Sequence, residues 1–191
     1  MATTTVRFYF AYNSPYAFLA NTRLVAQLAP FDVSIEYKPV YSPRTGGGGP
    51  DLDSPRFKYI FEDVGRFFKA YGIRTNPGPF ADTGRACRGF FFAQEKGARQ
   101  AYHDGIYAAR WSEGKDIGKD ETLATVAENA GLDRTEFLAA LDDETYTKAL
   151  EQSNADAEAD GVFGFPFFIV DGERFWGNDR IEWMVAKLRG D

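Results

Sequence analysis

Residues 5–11, "TVRFYFA", are β-branched and aromatic, the pattern of a buried strand. From Pro15 to about Ala29, Phe18, Leu19, Leu24, Val25 and Leu28 form a broad apolar helical face. Residues 32–40, "DVSIEYKPV", then alternate: Val33, Ile35 and Tyr37 against Ser34, Glu36 and Lys38, which predicts a second strand. A strand–helix–strand unit with so long a crossover implies parallel pairing and a right-handed connection.

The pattern breaks at 41–55, "YSPRTGGGGPDLDSP", where four glycines and three prolines exclude regular structure. This is the best candidate boundary. It reads as a linker, the alternative being a mobile segment beside a site. Beyond it the periodicity is helical up to about residue 160. Ser54-Pro55 is a cap-and-proline start, and Phe57, Ile60, Phe61, Val64, Phe68 and Tyr71 follow at helical spacing up to Gly72. That stripe is assigned to the core. Further helices are predicted at about 83–96, 98–112, 121–130, 134–141 and 143–160, with Asp133 and Glu136 as a capping box.

The period changes again at the end. "GFPFFIVDGERFWG", 164–177, is an apolar strand, an Asp171-Gly172 turn and a second strand, a hairpin signal. "NDRIEWMVAKLRG" reads as a terminal helix with Ile181, Met184, Val185 and Leu188 on its apolar face and Asp179 with Glu182 as a second capping box. No period repeats along the chain. The order βαβ, helical block, ββα predicts an α/β, thioredoxin-like fold with a helical insertion. Its expected division is a thioredoxin-like domain at 1–45 and 142–191 and an insertion at 46–141.

Composition narrows the function. The 191 residues are 44% hydrophobic with 18 Phe, enough for a substantial core. Twenty-two basic against 28 acidic residues give a net charge of −6, which argues against a nucleic-acid or anionic-membrane partner. One cysteine, Cys87, excludes an intramolecular disulfide and a Cys-x-x-Cys pair; with a single histidine, His103, a zinc site of the usual ligands is nearly excluded too. No apolar run approaches the ~20 residues of a membrane span, and the N-terminus lacks an apolar leader core, so a soluble, cytoplasmic protein is expected.

Three features suggest chemistry. Ser14-Pro15 opens the first helix, where free N–H groups and the helix dipole favour an anion. A thiolate suits such a position, and without a cysteine there the thiol must arrive with a ligand, Ser14 donating to its sulfur. Taken alone, Ser14 is a plain N-cap. Phe165-Pro166 precedes a strand; a cis bond would leave Phe165 backbone groups free to pair with an extended ligand, although an isolated X–Pro bond favours trans. In "WGND", 176–179, Asn178 and Asp179 are helix-capping types, or either is a partner for a ligand amino group. Together the three describe a site for a small thiol peptide.

The stretches "FYFAYNSPYAFLANTRL" and "GVFGFPFFIVDGERFWGNDRIEWM" resemble the 2-hydroxychromene-2-carboxylate isomerase family, bacterial relatives of the kappa-class glutathione transferases within the DsbA-like thioredoxin group. The likeness covers most of the chain, and its terminal part is the specific one. It implies a glutathione-dependent enzyme with Ser14 as the catalytic serine at the sulfur. Pro166 matches the family's cis-proline and Phe165 the residue whose backbone meets the cysteinyl unit. Trp176, Gly177, Asn178 and Asp179 match its glutathione-binding run. Ser14-Pro15-Tyr16-Ala17 stands where oxidoreductase relatives carry Cys-x-x-Cys, so disulfide exchange is not expected.

The chain departs from the family in having Phe on both sides of Pro166 and in lacking obvious equivalents of two loop asparagines that shape the acceptor site. His103 and Cys87 match no functional position and read as structural. The implied reaction is reversible thiolate addition to an unsaturated carbonyl of an aromatic-degradation intermediate. The alternatives are a kappa-like transferase or peroxidase using the same site, and a non-catalytic binding module. A homodimer is expected by analogy alone.

Overall fold

The computed structural model describes residues 3–41 and 51–190. The glycine run at 46–49, and with it most of the predicted 41–55 linker, lies outside the described residues. Strand β1 (Thr4–Phe10) leads into α1 (Pro15–Leu28) and β2 (Val33–Pro39). Helices α2 (Pro55–Ala70), α3 (Gly84–Glu95), α4 (Arg99–Trp111), α5 (Asp120–Asn129), α6 (Arg134–Ala140) and α7 (Glu144–Ala159) follow. The chain closes with β3 (Phe167–Val170), β4 (Glu173–Trp176), a 3-10 turn at Asn178–Arg180 and α8 (Ile181–Arg189).

The sheet order is β2-β1-β3-β4. β1 runs parallel to β2, with Phe8 opposite Tyr37, and antiparallel to β3, with Phe8 opposite Phe168. β3 pairs antiparallel with β4, as the Asp-Gly hairpin signal predicts. Asp171 and Gly172 both take positive φ, 49° and 79°, the backbone a two-residue hairpin of the right twist requires. This is a thioredoxin-like sheet carrying a block of helices.

Side chains alternate across β1. Val6, Phe8 and Phe10 face one apolar cluster, while Tyr9 faces a smaller one with Val40, Ala157, Phe167 and Ile169. The larger cluster runs unbroken from the sheet through α1 into the helical block, reaching Phe90, Tyr102, Trp111 and Phe137. The smaller one lies under α7, whose last turn leads to Asp160, which accepts from Tyr9 and Arg7 at 2.6 and 2.7 Å. Cys87 and His103 are both fully buried in the larger cluster. Burial pushes the Cys87 thiol up to about 12, so it stays protonated and packs as a small apolar group.

Two local expectations fail. The α2 stripe is only partly in the core: Val64 is buried and Phe68 packs against the larger cluster, while Phe61 is 43% exposed. The Asp179–Glu182 capping box does not form either. The chain makes a 3-10 turn there, no side chain caps α8, and Glu182 reaches Arg23 on α1 at 2.7 Å instead. By contrast, Asp133 Oδ1 does accept from Glu136 N–H at 2.9 Å. Among the described residues no helix is long and apolar enough to cross a membrane.

Candidate functional site

A cleft of about 1080 Å3 opens at the N-terminus of α1, between that helix, α2 and the chain on either side of the hairpin. Ser14, Phe165, Trp176, Gly177, Asn178 and Asp179 all line it, so one cleft collects six of the seven residues singled out from the sequence. Pro166 is buried behind the wall, joined to Phe165 by a cis peptide bond, and its carbonyl accepts from Gly177 N–H at 3.0 Å.

Ser14 has two hydrogen-bonding roles. Its Oγ accepts from Ala17 N–H at 3.2 Å, the N-cap of α1, and donates to the Phe165 carbonyl at 3.1 Å. Pro15 has no N–H, and Phe18 N–H goes to the Ser14 carbonyl. Tyr16 N–H is therefore the one first-turn amide with no partner among the described residues, and it sits at the positive end of the helix dipole. The Phe165 carbonyl, expected to be free for a ligand, is held by Ser14.

At the opposite corner, Gly177 takes φ 117° and ψ 153°. The φ favours glycine, and a Cβ there would lie 2.6 Å from Asp179 Oδ1, so a larger residue would push that carboxylate aside. Asn178 is only 1% exposed, and its Oδ1 accepts from Tyr71, which follows the last turn of α2, at 3.5 Å; Tyr71 in turn accepts from Arg23 at 2.7 Å. Asn178 is thus tied into a brace between α1 and α2. Asp179, half-exposed where Asn178 is buried, pairs with Arg180 at 2.8 Å.

The α2 stripe forms the far wall. Phe57, Ile60, Phe61 and Phe67 line the cleft, with Phe80 and Trp111 beneath and Phe163 beside Trp176, ring centroids 4.7 Å apart. Phe57, Ile60 and Phe61 belong to the stripe assigned to the core, because amphipathic spacing marks an apolar face without saying what faces it; Phe67 is an addition from the structure. Arg56 and Asp63 are the charged groups of this half. Tyr16 donates to Asp63 at 2.8 Å, which ties the first turn of α1 to α2. Burial, then this bond, raises the Tyr16 phenol, so it remains a donor at neutral pH.

Two residues went unremarked in the sequence. Asn13 is buried next to Ser14, its Nδ2 donating to the Ala81 carbonyl at 2.7 Å. Arg110, 1% exposed, donates through Nε to Asn13 Oδ1 at 3.4 Å and through Nη1 to the Gly78 carbonyl. Its place among Ile106, Tyr107 and Trp111, on the buried face of α4, was the available signal.

A family model described as DSBA-like thioredoxin domain matches residues 5–189. Among curated proteins, the chain is similar to a 2-hydroxychromene-2-carboxylate isomerase of Sphingobium xenophagum, 28% identical over 97% of this chain and 98% of that one. It is similar also to one of the same name from Pseudomonas putida, 29% identical over 96% and 93%. Among solved structures, a 2-hydroxychromene-2-carboxylate isomerase superposes with a TM-score of 0.84 at 28% identity, covering 97% of this chain and 94% of that one. The resemblance read from the two terminal stretches is borne out along the full length.

Proposed function

We propose a function from the premise that this chain belongs to the DsbA-like thioredoxin family: it is an isomerase of the 2-hydroxychromene-2-carboxylate type that works with glutathione. The observation that carries this reading is the meeting of Ser14 and Phe165, 151 positions apart, in the cleft that Asp179 also lines. The near-full-length relatives of that name support the reaction class.

The donor set suits glutathione. A hydroxyl and a free amide at a helix N-terminus fit a sulfur anion. The Phe165 backbone fits the cysteinyl unit, and the Asp179–Arg180 pair fits the zwitterionic end of the γ-glutamyl unit, carboxylate to amine and guanidinium to carboxylate. Asn178, braced by Tyr71, orients the turn rather than taking the amine. Glutathione, when bound, supplies a thiolate that adds reversibly to an unsaturated carbonyl and leaves after rotation about the new single bond, with no net oxidation.

Ser14 turns its hydroxyl from Phe165 toward the sulfur, and the same rotation releases the Phe165 carbonyl to accept the cysteinyl N–H. Phe57, Phe61, Phe80 and Trp111 hold a flat aromatic-derived substrate and exclude water above Ser14, while Arg56 meets its carboxylate. Tyr16 donates to the oxygen on which charge develops, exchanging Asp63 for it.

The test is the conversion of 2-hydroxychromene-2-carboxylate by gel-filtered protein, followed by absorbance with and without glutathione. Turnover that requires glutathione is expected. Equal turnover without it, or none with it, removes the proposal.

A further inference from the structure

Arg110 is a buried cation without a counter-ion. No carboxylate of the described residues lies within ion-pair distance of it; its hydrogen bonds go to the neutral Asn13 side chain and the Gly78 carbonyl, and its guanidinium lies 4.4 Å from the Trp111 ring centre and 5.1 Å from that of Phe80. Burying a charge unpaired is costly, so such a group invites a question about what it acts on. Burial lowers its pKa to about 10, with Asp116 pulling the other way, so the group is still cationic at neutral pH.

No surrounding carboxylate pairs with it directly. Asp116 acts on it through space, beyond ion-pair distance, while its Oδ1 accepts from Gly118 N–H at 2.9 Å, and Lys115 pairs with Glu113 at 2.7 Å. The 76–81 segment packed against it carries no charged side chain. Along the cleft the charged groups are Arg56, Asp63, Asp179 and Arg180, two of each sign. Asp63 accepts from Tyr16 and pairs with Arg66 at 3.4 Å, Asp179 pairs with Arg180 at 2.8 Å, and Arg56 is exposed to solvent. Arg110 is the buried cation beside this cleft, where solvent screens it least. Three of its four contacts, Asn13, Phe80 and Trp111, line the cleft, and Asn13 precedes Ser14 in the chain.

We propose that Arg110 is a positioning residue whose unmatched charge, acting through Asn13, keeps a sulfur bound at Ser14 in its thiolate form. The inference rests on the glutathione reading above and concerns only the proton: the thiol loses it to solvent, and the anion left behind is favoured by the nearby cation. In a low-dielectric wall such a charge acts over longer distances than in water. The N-terminus of α1 adds to the same field, so the effect of Arg110 is a share of the total.

The experiment compares wild type, Arg110→Gln and Arg110→Lys by two readouts. Thermal shift and calorimetry with S-methylglutathione, which has no ionisable thiol, report whether the site is intact. Ultraviolet thiolate absorbance of the glutathione complex, titrated with pH, reports the bound thiol. We expect all three proteins to bind S-methylglutathione alike, with the thiol pKa raised by about one unit in Arg110→Gln and close to wild type in Arg110→Lys. An unchanged pKa in Arg110→Gln overturns the proposal, as does an equal rise in both variants. Loss of S-methylglutathione binding in Arg110→Gln overturns it too, because Arg110 then serves only to hold the 76–81 segment. Failure of the wild type to bind S-methylglutathione sinks the glutathione reading itself, a separate outcome.

Discussion

Ser14 Oγ donates its hydrogen to the Phe165 carbonyl across 3.1 Å while its lone pair caps α1. A hydroxyl has one hydrogen to give, so a sulfur at the helix N-terminus competes directly with Phe165. Both partners of the bond are groups that the proposed ligand needs, and breaking it frees both together.

Replacing Ser14 with Ala removes the donor and the cap. Turnover should fall by roughly 10²–10³, the cost of losing one donor to a developing anion. Stability should fall by only about 1 kcal/mol, the usual value of an N-cap. Steady-state kinetics beside a denaturant melt check this; full activity in a folded Ser14→Ala protein discards the catalytic role.

Gly177→Ala probes the opposite corner. The φ of 117° and the 2.6 Å approach to Asp179 Oδ1 force the new methyl group to displace that carboxylate. Backbone strain of about 1–3 kcal/mol is expected. Calorimetry should show weaker glutathione binding, and Asp179→Asn should weaken it about fivefold, a modest figure because the group is half exposed. Unchanged affinity in both variants would move the γ-glutamyl end elsewhere.

The α2 wall should separate the two substrates. Phe61→Ala trims an exposed residue of that wall, so glutathione affinity should hold while KM for the chromene carboxylate rises roughly tenfold. An equal loss for both ligands would mean that α2 shapes the whole cleft.

His103 gives the fold an acid limit. It is fully buried, with the Phe10 ring 4.4 Å away, its Nε2 3.0 Å from Asn21 Oδ1 and its Nδ1 3.4 Å from Tyr12 Oη. Burial, then Arg99, pushes its pKa down to about 3. The unfolded chain takes up this proton near ~6.5, the folded one only near 3, so the unfolded state binds more protons in between. The contribution is complete above about pH 6.5 and is lost progressively as pH falls through that window. Urea melts should show stability declining with acid more steeply in wild type than in His103→Gln; parallel slopes would assign the decline to other groups.

Most of the fold was legible because each element has its own period. The alternation in 32–40, the heptad-like faces of α1 and α8 and the Asp171-Gly172 turn all settle local structure without tertiary help. Capping was less so. Asp133 caps α6, yet Asp179, in the same spacing, does not cap α8, because Arg180 takes its carboxylate and Arg23 takes Glu182. The α2 stripe was assigned to the core because half-burial against a cleft and full burial leave the same apolar period. Arg110 carries no motif, and the only signal for it is its spacing from Tyr107 and Ile106, which puts it on the buried face of α4.

A crystal structure of the glutathione complex tests the central claim most directly. The account predicts the tripeptide sulfur within hydrogen-bonding distance of Ser14 Oγ, with the Phe165 carbonyl turned over to the cysteinyl N–H. A complex in which Ser14 still donates to Phe165 and the sulfur points away from the start of α1 would contradict it.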